Sequence, residues 1–258
     1  MSLHLLRIGV DPRALATFAV ARRIDDDDGG YALHAALLAR FGDAAPRPFR
    51  YLPDHAAGPH LLGYLADPAA LTDAAALPAT DDLLAHVFSS APAVRAMPEA
   101  WREGARYGFE VRVRPVVRFG RRIREQRAAS PGAWQPDAGE MDAYVAACER
   151  AVAAGEDWRN VDRESVYVAW LGQRLAPAAA LERAGMRLFQ RSRTRRSTHR
   201  KEGEARRTHR VEGPDAVLAG TLTVTDPAAF AALLAKGVGR HSGFGYGMLL
   251  LGPPGRAG

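Results

Sequence analysis

The order in which hydrophobic periodicities change along the second half of the chain restricts its fold more than any other feature. From Tyr107 to Phe119, Phe109, Val111, Val113 and Val117 fit period two while arginines take alternating positions, which predicts a strand with one core-bound and one basic side. A loop rich in Pro, Gly and Ser over 128–137 leads to helical patterns over 141–153 and 165–175, separated at Gly155. Met186–Gln190 and Val217–Val224 read as the arms of a long hairpin. Asp226 with Pro227 starts a helix through Ala235, and 247–251 reads as a closing strand. The order is strand, helix, strand, strand, helix, strand.

A looser version of that order precedes it. Leu3–Val10 predicts a strand, followed by an acidic loop and a helix from Tyr31 to Phe41 with Leu33, Leu37, Leu38 and Phe41 on its apolar side. Phe49–Leu52 and Leu61–Leu65 form a candidate hairpin around Pro53, Gly58 and Pro59. Helical pieces over 67–86 are interrupted by Pro78, and Val94–Trp101 returns as a strand. Two such units predict an α+β chain of two tandem ferredoxin-like (βαββαβ) domains with antiparallel sheets, 1–104 and 105–258.

Charge is concentrated in one place. From Arg187 to Arg210 there are nine arginines and Lys201 against Glu202 and Glu204, a local excess of eight positive charges, whereas the whole chain carries only +6. Guanidinium groups grip phosphate bidentately and stack on bases, so this hairpin is a candidate nucleic-acid arm; a merely solvated loop is the competing reading. A second basic block, Arg118 to Arg127, follows the first strand of the same half, and in this topology both blocks border one groove. The glycines 237, 239, 243, 245 and 247 interleave with Arg240, His241, Phe244 and Tyr246 before the last strand. They suit a phosphate-lining loop or a tight connector. They fit no dinucleotide fingerprint, since that must open a helix.

The single cysteine, Cys148, excludes an internal disulfide or a thiolate metal cluster and suits a reducing cytoplasm. Charged residues Arg7, Asp11 and Arg13 interrupt any signal-peptide core, and no apolar run approaches the length of a membrane span. Asp25–Asp28 read as a solvated loop with no distant partner rather than a Mg²⁺ site, and His55, His60 and His86 lack zinc-ligand spacing.

The C-terminal run G-x-G-x(3)-G-x-G-x-G-M-L-L-L, preceded by GTLTVTDPAAF, resembles the ending of CasE-type CRISPR repeat-RNA endoribonucleases. YVAWLGQRL, FEVRVRPVV and Tyr31-x-x-His34 resemble further segments of that family, so the likeness spans most of the chain. The resemblance implies binding of a CRISPR repeat stem-loop, cleavage of precursor RNA without metal or cofactor, and membership of a multisubunit surveillance complex. The DDDDGG stretch before Tyr31 and the Arg240–His241 pair depart from the commonest members.

Such cleavage uses the RNA's own 2′-hydroxyl as nucleophile, leaving a cyclic phosphate and a 5′-hydroxyl. Two protons must move, which suits histidine, whose ordinary pKa lies near working pH. His34 is the first candidate, with Tyr31 on a neighbouring position of the same helix to orient the 2′-hydroxyl or phosphate; His241 is the rival or second proton carrier. Arg23 and Arg240 are candidates for stabilising the transition-state charge. Arg118, Arg121, Arg122, Arg191, Arg193, Arg195, Arg196, Arg200, Arg206 and Arg207 are candidate RNA contacts. A non-catalytic guide-RNA-binding subunit is the alternative reading.

Overall fold

The computed structural model describes residues 2–25, 28–79, 81–118, 140–198 and 207–255, with 194–198 and 207–211 as backbone only. The expected Arg118–Arg127 block therefore lies, beyond Arg118, outside the described residues.

Two four-stranded antiparallel sheets organise the chain. The first is built from β1 (His4–Gly9), β2 (Phe49–Leu52), β3 (His60–Leu65) and β4 (Ala93–Ala96), in the order β2-β3-β1-β4. The second takes β5 (Arg106–Val113), β8 (Ala179–Thr198), β9 (Arg207–Val224) and β10 (Leu249–Gly252), in the order β10-β5-β9-β8. In each sheet the first strand of the unit pairs with the third and the fourth, the tandem ferredoxin-like arrangement. Short strands β6 (Val116–Arg118) and β7 (Glu140–Asp142) pair with each other beside the second sheet.

The helices follow from their sequence signals. Asp11, Asp67 and Asp226 each cap a helix that opens with proline: α1 (Pro12–Ala21), α3 (Pro68–Ala76) and α7 (Pro227–Lys236). In all three the carboxylate accepts a backbone N–H of the first turn and proline occupies a position needing no donor. Between them lie α2 (Gly30–Phe41), α4 (Asp82–Val87), α5 (Ala143–Ala153) and α6 (Arg163–Leu175).

Several expectations are corrected. The segment between the first strand and the Tyr31 helix is not all loop: α1 occupies it and buries Leu15 and Phe18. On α2, Leu33, Leu37 and Phe41 are buried but Leu38 is 44% exposed, because it lies one position beyond the packed stripe. The strand expected over Tyr107–Phe119 stops at Val113, since Pro115 cannot donate to a ladder, and resumes as β6. The strand expected over Val94–Trp101 covers only Ala93–Ala96. The hairpin arms run far beyond Met186–Gln190 and Val217–Val224, with ladder pairs as distal as Thr198 with Arg207. Alternating Arg, Ser and Thr carry no hydrophobic period yet pair through their backbones.

Two apolar clusters fill the chain, one around Leu6, Ile8, Leu33 and Leu37, the other around Phe109, Val111, Trp170 and Phe230. Tyr64 of the first sheet belongs to the second cluster, and its hydroxyl donates to the Leu249 carbonyl at 2.8 Å. The two sheets are thereby joined through a buried hydrogen bond. Among the described residues, no helix is long and apolar enough to cross a membrane.

Candidate nucleic-acid-cleaving site

The start of α2 meets the glycine-rich loop of the second half. Gly29 precedes the helix with φ 67, and at Gly30 a Cβ would lie 2.4 Å from the Phe244 carbonyl oxygen, so only glycine permits this approach. One turn along, the Phe244 ring stacks on Tyr31 with centroids 5.8 Å apart and lies 4.7 Å from His34. Tyr31 and His34 are 6.1 Å apart, as their spacing predicts. The fold therefore brings both helix candidates against the loop that carries Arg240 and His241.

The loop is held from behind. Gly247 donates its N–H to the Arg112 carbonyl and accepts from Val238 N–H, at 2.7 and 2.8 Å. Gly237, Gly239, Gly245 and Gly247 have positive φ, whereas at Gly243 a Cβ would press only on the movable Arg47 guanidinium, 2.9 Å away. Much of the glycine content thus serves a tight connector. His241 itself adopts φ 68, and its Nε2 lies 3.2 Å from Glu140 Oε2, while Arg240 Nε donates to Glu140 Oε1 at 2.7 Å. Glu140 therefore organises both residues, and the His241 side chain is only 3% exposed. A cavity of about 130 Å³ opens beside it, lined among others by Arg114, Glu140, Asp142, Arg191 and Glu212.

His34 titrates below the ordinary histidine range, first because it is partly buried and second because Arg47 stands nearby; a hydrogen bond with the Gly243 backbone opposes both. Its neutral form can accept a proton from a hydroxyl, and Arg47 supplies a cation at the same place. Arg47 was not among the sequence candidates. It lacks a motif, and only the tertiary fold brings it to Gly243.

The arginine-bearing strand also differs from expectation. Arg112 and Arg114 were read as part of a basic outer face, yet they are 8% and 2% exposed. Both guanidinium groups lie over the Tyr246 ring, with Cζ 4.5 and 5.4 Å from its centroid. Arg112 Nε donates to Asp215 Oδ1 at 2.8 Å, and its Nη2 donates to Asp28 Oδ2 at 2.7 Å. Arg114 donates to the Ser192 carbonyl at 2.7 Å. Burial alone would raise the Asp215 carboxyl, but the Arg112 hydrogen bond and charge hold it below its usual range. Asp28 therefore has a distant partner, and the expectation of a wholly solvated acidic loop is overturned for this residue.

The remaining candidates are dispersed. Arg23 is exposed at the end of α1 with φ 54, and its N–H bonds Val20. Arg118 is exposed and pairs in register with Glu140. Arg191 and Arg193 both bridge to Glu212, at 2.9 and 3.2 Å. Arg195, Arg196 and Arg207 lie on the hairpin arms as backbone only, and Arg121, Arg122, Arg200 and Arg206 lie outside the described residues. Among the described residues, no group of three or more His, Cys, Asp or Glu side chains is placed to hold a metal ion.

Comparison with known proteins adds a family. The sequence model of a family described as CRISPR associated protein matches residues 3–253. No curated protein matches the chain. Among solved structures, the chain is similar to CRISPR endoribonuclease Cse3 bound to a 19-nucleotide RNA, at 21% identity and TM-score 0.57, over 98% of this chain and 100% of that one. It is similar to Thermus thermophilus Cse3 bound to an RNA representing a pre-cleavage complex, at 17% identity and TM-score 0.58, with the same coverage. It is also similar to the CRISPR-associated protein Cas6e from Escherichia coli K-12, at 17% identity and TM-score 0.52, again over 98% and 100%. At such identities the likeness shows the fold.

Proposed function

Because the chain belongs to the family described as CRISPR associated protein, we propose that it binds the stem-loop of a CRISPR repeat and cuts the precursor RNA by attack of the 2′-hydroxyl on the adjacent phosphate. The observation that carries this reading is the convergence of Tyr31 and His34 with Phe244 in the loop of Arg240 and His241. His34 and Arg47 of the first half face there the loop that carries Arg240 and His241 of the second. The RNA-bound state of structures with the same fold supports it further.

In this mechanism neutral His34 takes the 2′-hydroxyl proton or, once protonated, returns one to the 5′-oxygen leaving group, and Tyr31 orients the reacting ribose or phosphate. Arg47 and Arg240 offset the charge that develops on the phosphorane. His241, held by Glu140, is the second proton carrier or an RNA contact. The bonds balance without a metal: the 2′-oxygen to phosphorus bond forms, the 5′-oxygen to phosphorus bond breaks, and a cyclic phosphate and 5′-hydroxyl result. The arginine hairpin supplies grip through phosphates. The protein works in an assembly with other CRISPR-associated subunits.

The test is incubation of the protein with a repeat stem-loop RNA in EDTA. Cleavage to a cyclic phosphate end is expected. Tight binding with an intact strand would instead leave the guide-RNA-binding subunit as the function.

A further inference from the structure

A buried charged network, centred on Asp28, Arg112 and Asp215, takes no part in the cleavage chemistry. Asp28 stands two residues before α2, and its Oδ1 accepts the Gly30 N–H at 3.0 Å, inside the first turn of the helix that carries Tyr31 and His34. Its Oδ2 accepts from Arg112 at 2.7 Å and from the Tyr246 hydroxyl at 2.8 Å, both in the second half. The Asp28 side chain is 6% exposed. Arg112 continues to Asp215, which Gln190 Nε2 also meets at 2.8 Å. Asp215 and Gln190 are ladder partners at the foot of the arginine hairpin. Ser192, one step further along that arm, bonds both Arg114 and the Tyr246 hydroxyl.

The apolar stripe of α2 fixes the helix to the first sheet through Leu33, Leu37 and Phe41. Dispersion contacts of that kind are tolerant of small sliding, whereas a carboxylate with three donors on three segments is directional. The three bonds to Asp28 specify where the first turn of α2 stands relative to the glycine loop.

Resting on the proposed function, we propose that Asp28 is a positioning residue: its bridge to Arg112 and Tyr246 holds the start of α2, and with it His34, in the geometry needed to cut RNA bound by the hairpin. Asp28 touches neither RNA nor reacting atoms. It acts through the helix, and displacement of a reacting group by about 1 Å can cost on the order of 10²-fold in rate.

The experiment uses the full chain carrying Asp28→Asn, which keeps the shape and removes the charge, and separately Tyr246→Phe, which removes the hydroxyl's bonds to Asp28 and Ser192 while the ion pair remains. Three quantities are read: amide hydrogen exchange over residues 29–34 without RNA, repeat-RNA affinity, and single-turnover cleavage. Expected for Asp28→Asn are faster exchange at those amides, a cleavage rate lower by at least about tenfold, and a Kd within about threefold of the parent. Tyr246→Phe should shift exchange and rate in the same direction by less. Unchanged exchange in both variants overturns the proposal, as does faster exchange with an unaltered cleavage rate. Parallel loss of affinity and rate also overturns it, since that marks general disruption. If the parent protein binds but does not cut the repeat, the nuclease reading fails, while hydrogen exchange still decides whether Asp28 holds the helix.

Discussion

The ring of His34 lies 4.7 Å from that of Phe244, so a helix of the first half and the glycine loop of the second touch at the candidate cleavage site. Phe244 also stacks on Tyr31. Replacing it with alanine removes the surface against which both candidates rest, and single-turnover cleavage of a repeat stem-loop should fall by roughly 10–100-fold through misplacement. RNA affinity should change little. An unaltered rate would show that the aromatic contact does not orient the histidine.

His34→Ala should lower single-turnover cleavage by about 10²–10⁴-fold with binding retained. Retained cutting would transfer the principal proton role to His241. The same residue has a stability signature. Burial and Arg47 depress its pKa in the fold, so between the ordinary histidine value and the folded one the unfolded chain holds more protons. Its contribution is complete above about pH 6.5 and is lost as the pH falls from there through the folded value. Thermal unfolding of His34→Gln should therefore fall less steeply with acidification than that of the parent; parallel curves would contradict the assignment.

The hairpin should be visible in a salt titration of RNA binding. Each arginine in contact with phosphate adds about 0.7–0.9 to the logarithmic slope, so a combined Arg195→Gln, Arg196→Gln and Arg207→Gln variant should flatten it by roughly two. An unchanged slope would assign these arginines to solvent. Glu212 partly neutralises Arg191 and Arg193, whose side chains remain 47% and 63% exposed. Glu212→Gln should tighten binding by about two- to fivefold, the scale of surface ion pairs.

Gly220 pairs with Ala184, one position beyond a register shift in the neighbouring strand between Leu181 and Arg183. A Cβ there would lie 1.9 Å from the Arg183 carbonyl oxygen and 2.7 Å from Ala184 Cα, so backbone must move. Gly220→Ala should destabilise the chain by about 1–3 kcal/mol in urea unfolding. A midpoint equal to the parent's would show that the strand slides at little cost.

The periodicities of Phe109, Val111 and Val113, the Asp226 and Pro227 pair, and the turn residues made the two-unit order legible, because each reports a local backbone preference. The α1 signal was equally local, since Asp11 and Pro12 repeat the cap seen at Asp226, but it lay beside a conspicuous acidic run. Tyr31, His34 and the glycine loop were legible through family likeness and helical spacing. Arg47, Glu140 and the burial of Arg112 and Arg114 were not. Period two assigns a strand's second face to solvent by default, and only contact with Asp28, Asp215 and Tyr246 shows that this face is covered. A buried arginine and an exposed one are identical in sequence; their partners lie in distant segments.

The bonds that complete the site join residues far apart along the chain: Asp28 and Tyr246 are separated by 218 positions, Tyr64 and Leu249 by 185. During translation the first sheet and the whole arginine hairpin emerge before the loop that faces His34 has been made. Under the proposed function, a nascent chain can capture RNA before it can cut it.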